Sequence, residues 1–545
     1  MSHSHSKKLR HNLKPAILIA MIPVLIGAGV VTFFLTGRYE SALGSAGNQR
    51  LLTKNWEAAD KAFIERQPNY ERKFAYYRLK EGQTLESVAA FFGVDPVKLK
   101  KMNPGLVVSG ATIKVPPVER PLEETSGANG KIVEAKITED HGLLRIRQPY
   151  KSDLAITTIP ELMDFLRPYS AIEKTGAKTY RINRAISLEG NIRLDVTPAT
   201  VTKLELKSAA NDIACLCSDE AAILLKDVSI TSYDPATGKP DVNYDDERAF
   251  VRAKNGRMDA INVDFSYLGN DLPDEQKALE RTNQAQKEGG TYGVSWRISD
   301  DLLGVEIATG WVERSRFVRN HFGAYTYGAS GMMWRNNYFA YNDVYGLDPH
   351  DDSNNALVEH NVFAYNGKHG FIVSKRCNYN IIRNNTSIGN KLHGFMLHQD
   401  SDYNIIENNV SYDNVDNYVI YASDYNTIRS NVSYNARSSH VRVNAEARNS
   451  FITGNMLLGG RRGVYVYGQT NNVYVSGNTI HVGKEALMTE GARNIFFANN
   501  VIDSLAYKIA DGDRLIFGPN TIRPEEPVIP SKAPLPKEFT AARVD

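Results

Sequence analysis

Cysteine is nearly missing. Of 545 residues only Cys215, Cys217 and Cys377 carry a thiol, too few for a disulfide framework and without the spacing of a zinc site. Cys215 and Cys217 are two apart, so in a strand they share a face without bridging easily. Thiol usage therefore leaves the compartment open. Excess charge is missing too. Lys and Arg number 64 against 62 Asp and Glu, a net charge of +2, which gives no reason to expect nucleic acid as a partner. Long helical periodicities are absent from about residue 130 to 523, where short β-rich pieces alternate with Asn, Gly, Asp and Ser. What remains is ordinary: 42% apolar and 23% charged residues, in a chain long enough for a large core and more than one domain.

The N-terminus carries the first positive signal. Lys7, Lys8, Arg10 and Lys14 lie in a basic tail, residues 1–15, ahead of an uncharged apolar run over 16–36. As a helix that run rises about 31 Å, enough to cross a bilayer. Basic residues ahead of it predict a single-pass anchor in the cell inner membrane, with the bulk of the chain outside the cytoplasm. A cleaved signal peptide competes, since SALGSAG offers small residues. The apolar run is long for such a segment, however, and Arg38 and Glu40 interrupt the approach to a cleavage point. Residues 37–74 are charged and weakly periodic, a linker with some helix.

Tyr77–Pro117 predicts strand, helix capped by Thr84, turn, second helix and strand, closed by Pro116 and Pro117. Leu85, Val88, Ala89 and Phe92 have the spacing of one buried helical face. With GQTL at the helix entry, then FFGV, MNPGL and IKVP, the stretch resembles a LysM domain over its full length. That resemblance implies a small α/β module that binds peptidoglycan or another GlcNAc-containing glycan; the alternative is a spacer domain without ligand.

Beyond it, similar phrases recur: RNNYFAYN, EHNVFAYN, RNNTSIGN, ENNVSYDN. Their anchors are Ser315, Asn337, Asn361, Asn385, Asn409, Asn431, Asn455, Asn478 and Asn500, at intervals of 22, 24, 24, 24, 22, 24, 23 and 22. Three residues before each anchor the column runs Val312, Trp334, Val358, Ile382, Ile406, Ile428, Ile452, Val475, Phe497, every member apolar. An apolar residue returning to the same place once per coil describes a solenoid with a stacked core. The leucine framework of leucine-rich repeats is missing, and short β-branched runs between Asn and Gly suit a parallel β-helix over 130–523. The anchor amides then bond rung to rung at turns, so their abundance is structural. TYRINRAISL and VTKLELKSAA supply early rungs, Leu272–Gly290 forms a helical insertion or loop, and 524–545 is a Pro-rich tail.

The repeat register collects a candidate site. Equivalent positions in successive coils of such a fold lie about 4.8 Å apart. Tyr327, His350, Ser374 and His398 should therefore form one ladder, with Asp348 on the same face as His350 and with Lys375 and Arg376 within reach one coil on. A carboxylate, two histidines, two cations and a tyrosine on one solenoid face suit an extended anionic polymer. Polar side chains there also serve solubility, which leaves open a non-catalytic glycan-binding β-helix. Calcium held by Asp348, His350 and Asp351 is a further reading, opposed by the two cations; no metal and no cofactor is expected.

YNDVYGLDPHDDS, the NNxSYxN repeats, KHGFIVSKR, TYGVSWR and GWVERSRF together resemble the periplasmic mannuronan C5-epimerases of the AlgG type, over roughly residues 259–500. The resemblance implies a right-handed parallel β-helix that converts β-D-mannuronate to α-L-guluronate within alginate. It also implies His350 as base, with Asp348 and Asp351 as the flanking acids of the DPHD motif. The family's carboxylate-neutralising arginine follows HGxxxS. Here counting from Ser374 reaches Lys375, while counting from DPHD reaches Arg376, which is favoured for its bidentate fork. An imidazole oriented by Asp348 suits proton abstraction at C5 near neutral pH. A water, Tyr327 or His398 would return the proton. A polyuronate lyase shares the first step and is the alternative.

Overall fold

The repeating strand pieces are three to six residues long and rich in Val, Ile, Phe and Tyr, too short to bury a core singly. Each therefore pairs with its counterpart one coil away. The computed structural model describes residues 22–26, 29–33, 46–67, 72–105, 107–124, 132, 134–150, 154–209, 212–245, 247–271, 290–503, 507–510, 513 and 515–523. Among them, three sheets of fifteen, fourteen and fifteen strands run the length of a solenoid from Lys136 to Ile522. Pairing is parallel throughout, except at the N-terminal hairpins of the first and third sheets. One coil passes through Leu347–His350 in the first sheet, Leu357–Glu359 in the second and Val362–Ala364 in the third, then returns to the first at Phe371–Ser374. Early rungs include Thr179–Ile182 and Lys203–Lys207.

The apolar column of the repeats is the core. Val312, Trp334, Val358, Ile382, Ile406, Ile428, Ile452, Val475 and Phe497 are all fully buried and in register along the second sheet. A second stack, Phe265, Phe317, Phe339 and Phe363, has centroids 4.7 to 5.1 Å apart. The anchor amides do bond rung to rung. From Ser315 to Asn500, each backbone N–H, and from Asn337 each side-chain N–H as well, donates to the Oδ1 of the next anchor at 2.8 to 3.0 Å. Asn520 ends the row. A second row, Asn320, Asn342, Asn366, Asn390 and Asn414, does the same.

The N-terminal third differs from expectation in two places. Within the apolar run over 16–36 the described residues are not helical: Ile22–Ile26 pairs antiparallel with Gly29–Phe33, and no helix among the described residues is long and apolar enough to cross a membrane. The β-branched Val24, Ile26, Val30, Val31 and Thr32 favour strand pairing. The described part of 37–74, expected as a linker with some helix, also packs on the solenoid. Ala46–Glu65 is a helix laid on the outer face of the second sheet, with Phe63 against Phe451, Tyr474 and Phe496.

The strand, helix, helix, strand order over 77–117 is observed as Ala75–Arg78, Leu85–Phe92, Pro96–Met102 and Thr112–Val115. Thr84 and Ser87 form the reciprocal cap of the first helix, and the two strands pair antiparallel. This unit shares one core with the second sheet, burying Trp311, Met333 and Leu357. The basic tail 1–15, the Pro-rich tail 524–545 and residues 272–289 of the expected insertion lie outside the described residues.

Candidate active site on the first sheet

Alternation along Leu347–His350 sends Leu347 into the core and turns Asp348 and His350 to the outer face. The expected ladder forms in full: Tyr327, His350, Ser374 and His398 are successive partners, continuing to Tyr421 and preceded by Lys254 and Arg297. Arg297 stands 5.5 Å from the Tyr327 ring, and His398 stacks on Tyr421 at 4.9 Å. Burial, then Asp300 and Asp351, pushes the Tyr327 phenol up to about 12.

After three successive strands the chain turns toward the second sheet through two left-handed residues: Asp351–Asp352, Lys375–Arg376 and Gln399–Asp400. These corners stack, with the Asp351 and Asp352 N–H groups donating to Ser374 and Lys375 carbonyls at 2.8 and 3.1 Å. Positive φ at non-glycine residues costs of order 1 kcal/mol each, and here it swings the side chains at 351, 352, 375 and 376 off the simple strand alternation.

That swing decides the partnerships. Asp351, not Asp348, meets the imidazole: Asp351 Oδ2 lies 2.6 Å from His350 Nδ1. Asp348 is buried and in register with Tyr325, and Asp351 takes the place at Nδ1 expected of Asp348. Arg376 is likewise engaged. Its guanidinium donates to Asp351 Oδ1 at 2.8 Å and to Asp352 Oδ2 at 3.0 Å. Among the described residues no ion pair involves Lys375, yet its charge acts on Asp348, His350 and His398 alike. Arg376, expected in preference to Lys375 as the neutraliser of a substrate carboxylate, thus already pairs with two carboxylates of its own chain.

Burial pushes the His350 imidazole below its ordinary 6.5; Asp351 pulls it partly back, and Lys375 and Arg376 push it down. Burial also lowers His398, helped by His350 and Lys375. The Asp348 carboxyl is driven well above its ordinary 3.8, by burial first and then by Asp351, with Lys375 opposing. A base that is neutral at neutral pH beside a carboxyl biased toward its protonated form suits proton transfer at an acidic sugar. Among the described residues no group of three or more His, Cys, Asp or Glu side chains is arranged to hold a metal ion, and Asp351 spends its two oxygens on His350 and Arg376.

Several neighbours escaped the sequence reading. Tyr325 is buried, its ring 5.6 Å from the His350 ring and stacked on Tyr292 at 3.5 Å. Tyr345 stacks on His369 at 5.0 Å, and His369 on His393 at 4.8 Å. Burial and Asp348 push the Tyr345 phenol up to about 12. The repeat period could have found both rows. Tyr325 precedes Tyr327 as Asp348 precedes His350, and Phe322, Tyr345, His369 and His393 recur at 23 or 24 residues.

Comparison with known proteins bears on the fold. The family described as "Right handed beta helix region" matches residues 294–411 and 352–480. The solved periplasmic alginate epimerase AlgG superposes with a TM-score of 0.52 at 17% identity, covering 85% of this chain and 96% of that one. A variant of AlgG gives 0.53 with the same identity and coverage. The fold is a right-handed parallel β-helix. The A-module of the Azotobacter vinelandii mannuronan C-5 epimerase AlgE6 matches at 15% identity and a TM-score of 0.40, over 64% of this chain and 89% of that one. No curated protein matches the chain in sequence. On this right-handed β-helix the outer face of the first sheet is a strip carrying Lys254, Arg297, Tyr327, His350, Ser374 and His398 past one another, with Lys375 in the corner that follows Ser374.

Proposed function

We propose that this β-helix is a polysaccharide C5-epimerase that converts β-D-mannuronate to α-L-guluronate in an alginate-like polymer. One observation supports the reading: the His350 imidazole, its Nδ1 2.6 Å from Asp351 Oδ2, lies within the field of Lys375, which no carboxylate pairs among the described residues. Removing the C5 proton builds negative charge on the adjoining carboxylate, which needs a cation or a hydrogen-bond donor to stabilise it. Lys375 supplies the charge, and the Asp348 carboxyl, held toward its neutral form, donates a hydrogen bond. His350 takes the proton. A proton returned from the opposite face inverts C5, and the phenols of Tyr325 and Tyr345, which burial keeps protonated, are the O–H groups beside Asp348. The likeness to AlgG, an alginate epimerase by name, supports the substrate class.

Proton NMR of polymannuronate before and after incubation tests the reaction. New guluronate signals without chain scission are expected. Unsaturated ends absorbing in the ultraviolet would make the protein a lyase, and unchanged polymer a binding protein. Two accessory roles belong to the same reading. The unit at 77–117 binds a GlcNAc-containing glycan such as peptidoglycan, which a pull-down on cell-wall sacculi would read. The run at 16–36 holds the chain at a membrane with the β-helix outside the cytoplasm. Recovery of the full chain in a carbonate-washed membrane pellet is the expected result.

A further inference from the structure

The N-terminal βααβ unit reaches the first-sheet corner through the loop 298–307. On one side of that loop, Arg78 N–H donates to the Val305 carbonyl at 2.8 Å. Lys80 Nζ binds Glu306, which is buried, and also Glu220 at 2.9 Å. On the other side, Ile298 N–H donates to the Tyr327 carbonyl at 2.9 Å, and Leu303 and Ile298 close so tightly over Gly328 that a Cβ there would meet them at 2.7 and 2.9 Å. Gly328 N–H in turn donates to the Asp351 carbonyl at 2.7 Å, the residue whose carboxylate braces His350.

A second hold runs in parallel. Arg72 Nε donates to the Asn355 carbonyl at 2.7 Å and Arg72 Nη2 to the Gly331 carbonyl at 3.1 Å. Lys73 N–H reaches Asn355 Oδ1 at 2.7 Å, and Val118 N–H reaches the Gly331 carbonyl at 3.0 Å. Gly331 and Asn355 belong to the two stacked corners that follow Tyr327 and His350. The corner is closed from within as well, by Ser353 Oγ donating to the His350 carbonyl at 2.8 Å.

We infer that the βααβ unit and its lead-in at Arg72 are a positioning element of the catalytic corner, holding Asp351 against His350 from both ends of residues 328–355. The unit touches no reacting group and acts only through the loop and the corner. This role rests on His350 being the base. It differs from glycan capture, because it requires the unit to be docked whether or not a glycan occupies it.

The test uses the full chain with the double substitution Lys80→Met, Glu306→Gln, which removes the ion pair without leaving a buried charge. Backbone amide exchange over 298–307 and 324–355 should accelerate about ten-fold, while rungs beyond residue 450 keep the parent rates. Turnover should fall about ten-fold with KM unchanged, since the corner serves the chemical step. Lys80→Arg alone, with Glu306 retained, should keep both at the parent values. Acceleration confined to 298–307, or an unchanged kcat, overturns the inference. Should the double variant loosen the whole solenoid, Arg72→Met alone must still speed exchange at 350–355; parent rates there overturn it equally. Exchange is read without substrate, so a coupled corner in a chain that epimerises nothing would sink the proposed function and leave the positioning role standing.

Discussion

At the scale of single residues, the site turns on which groups are already engaged. Asp351 and Arg376 hold each other and the imidazole, while among the described residues no ion pair engages Lys375, the cation that the proposed function assigns to an incoming carboxylate. His350→Gln is expected to abolish turnover while circular dichroism and the thermal midpoint stay close to the parent values, because the side chain lies on the outer face of the sheet and outside the solenoid's apolar core. Lys375→Met should cost about 10² to 10³ in kcat/KM, the range for removing one stabiliser of developing charge. Arg376→Met should cost less, since it loosens the brace rather than removing the neutraliser; kinetics on the two pure variants decide between them. The pH dependence follows from the sign of the shift. A base lowered below 6.5 stays unprotonated as pH falls through 6.5, so the acid limb of kcat/KM must lie below that value.

At the scale of elements, the amide rows are what let strands of three residues persist. Asn409 accepts from Asn385 twice, through its Oδ1, and donates from Nδ2 to the Ile382 carbonyl and to Asn431. Asn409→Ala strands several buried donors and acceptors at once, each costing about 1–3 kcal/mol when left unpaired. A drop of about 3 kcal/mol or more in denaturant stability is expected, with first-sheet chemistry otherwise intact. A loss under about 1 kcal/mol would mean the rung relaxes around the gap. The same logic explains the corners: consecutive left-handed residues are tolerated because each N–H is taken by the next corner's carbonyl.

At the scale of the whole molecule, the division of faces is the organising feature. The outer face of the second sheet carries an apolar column that is covered, by the βααβ unit at Trp311, Met333 and Leu357 and by the helix Ala46–Glu65 at Phe451, Tyr474 and Phe496, beside a charged ladder through Arg335, Glu359 and Arg383. The first sheet is left to carry polar and cationic side chains from Lys254 to Arg442. That span is seven strand steps of about 4.8 Å, roughly 34 Å. Rates on size-fractionated oligomannuronates should therefore climb with length until the chain bridges the strip and then level off. Equal rates on the shortest and longest oligomers would contradict an extended polymer site.

By itself the sequence determined the period, and with it the buried column, the amide row and the ladder Tyr327, His350, Ser374, His398. A repeat of constant length leaves only one register in which apolar residues return to the same place. Tertiary structure alone decided which acid braces the imidazole, which cation that acid engages, and that residues 46–65 and 75–122 dock rather than dangle. Two left-handed residues at each corner cannot be counted from a two-residue strand alternation. The partners of a long side chain depend on what packs against it from elsewhere in the chain.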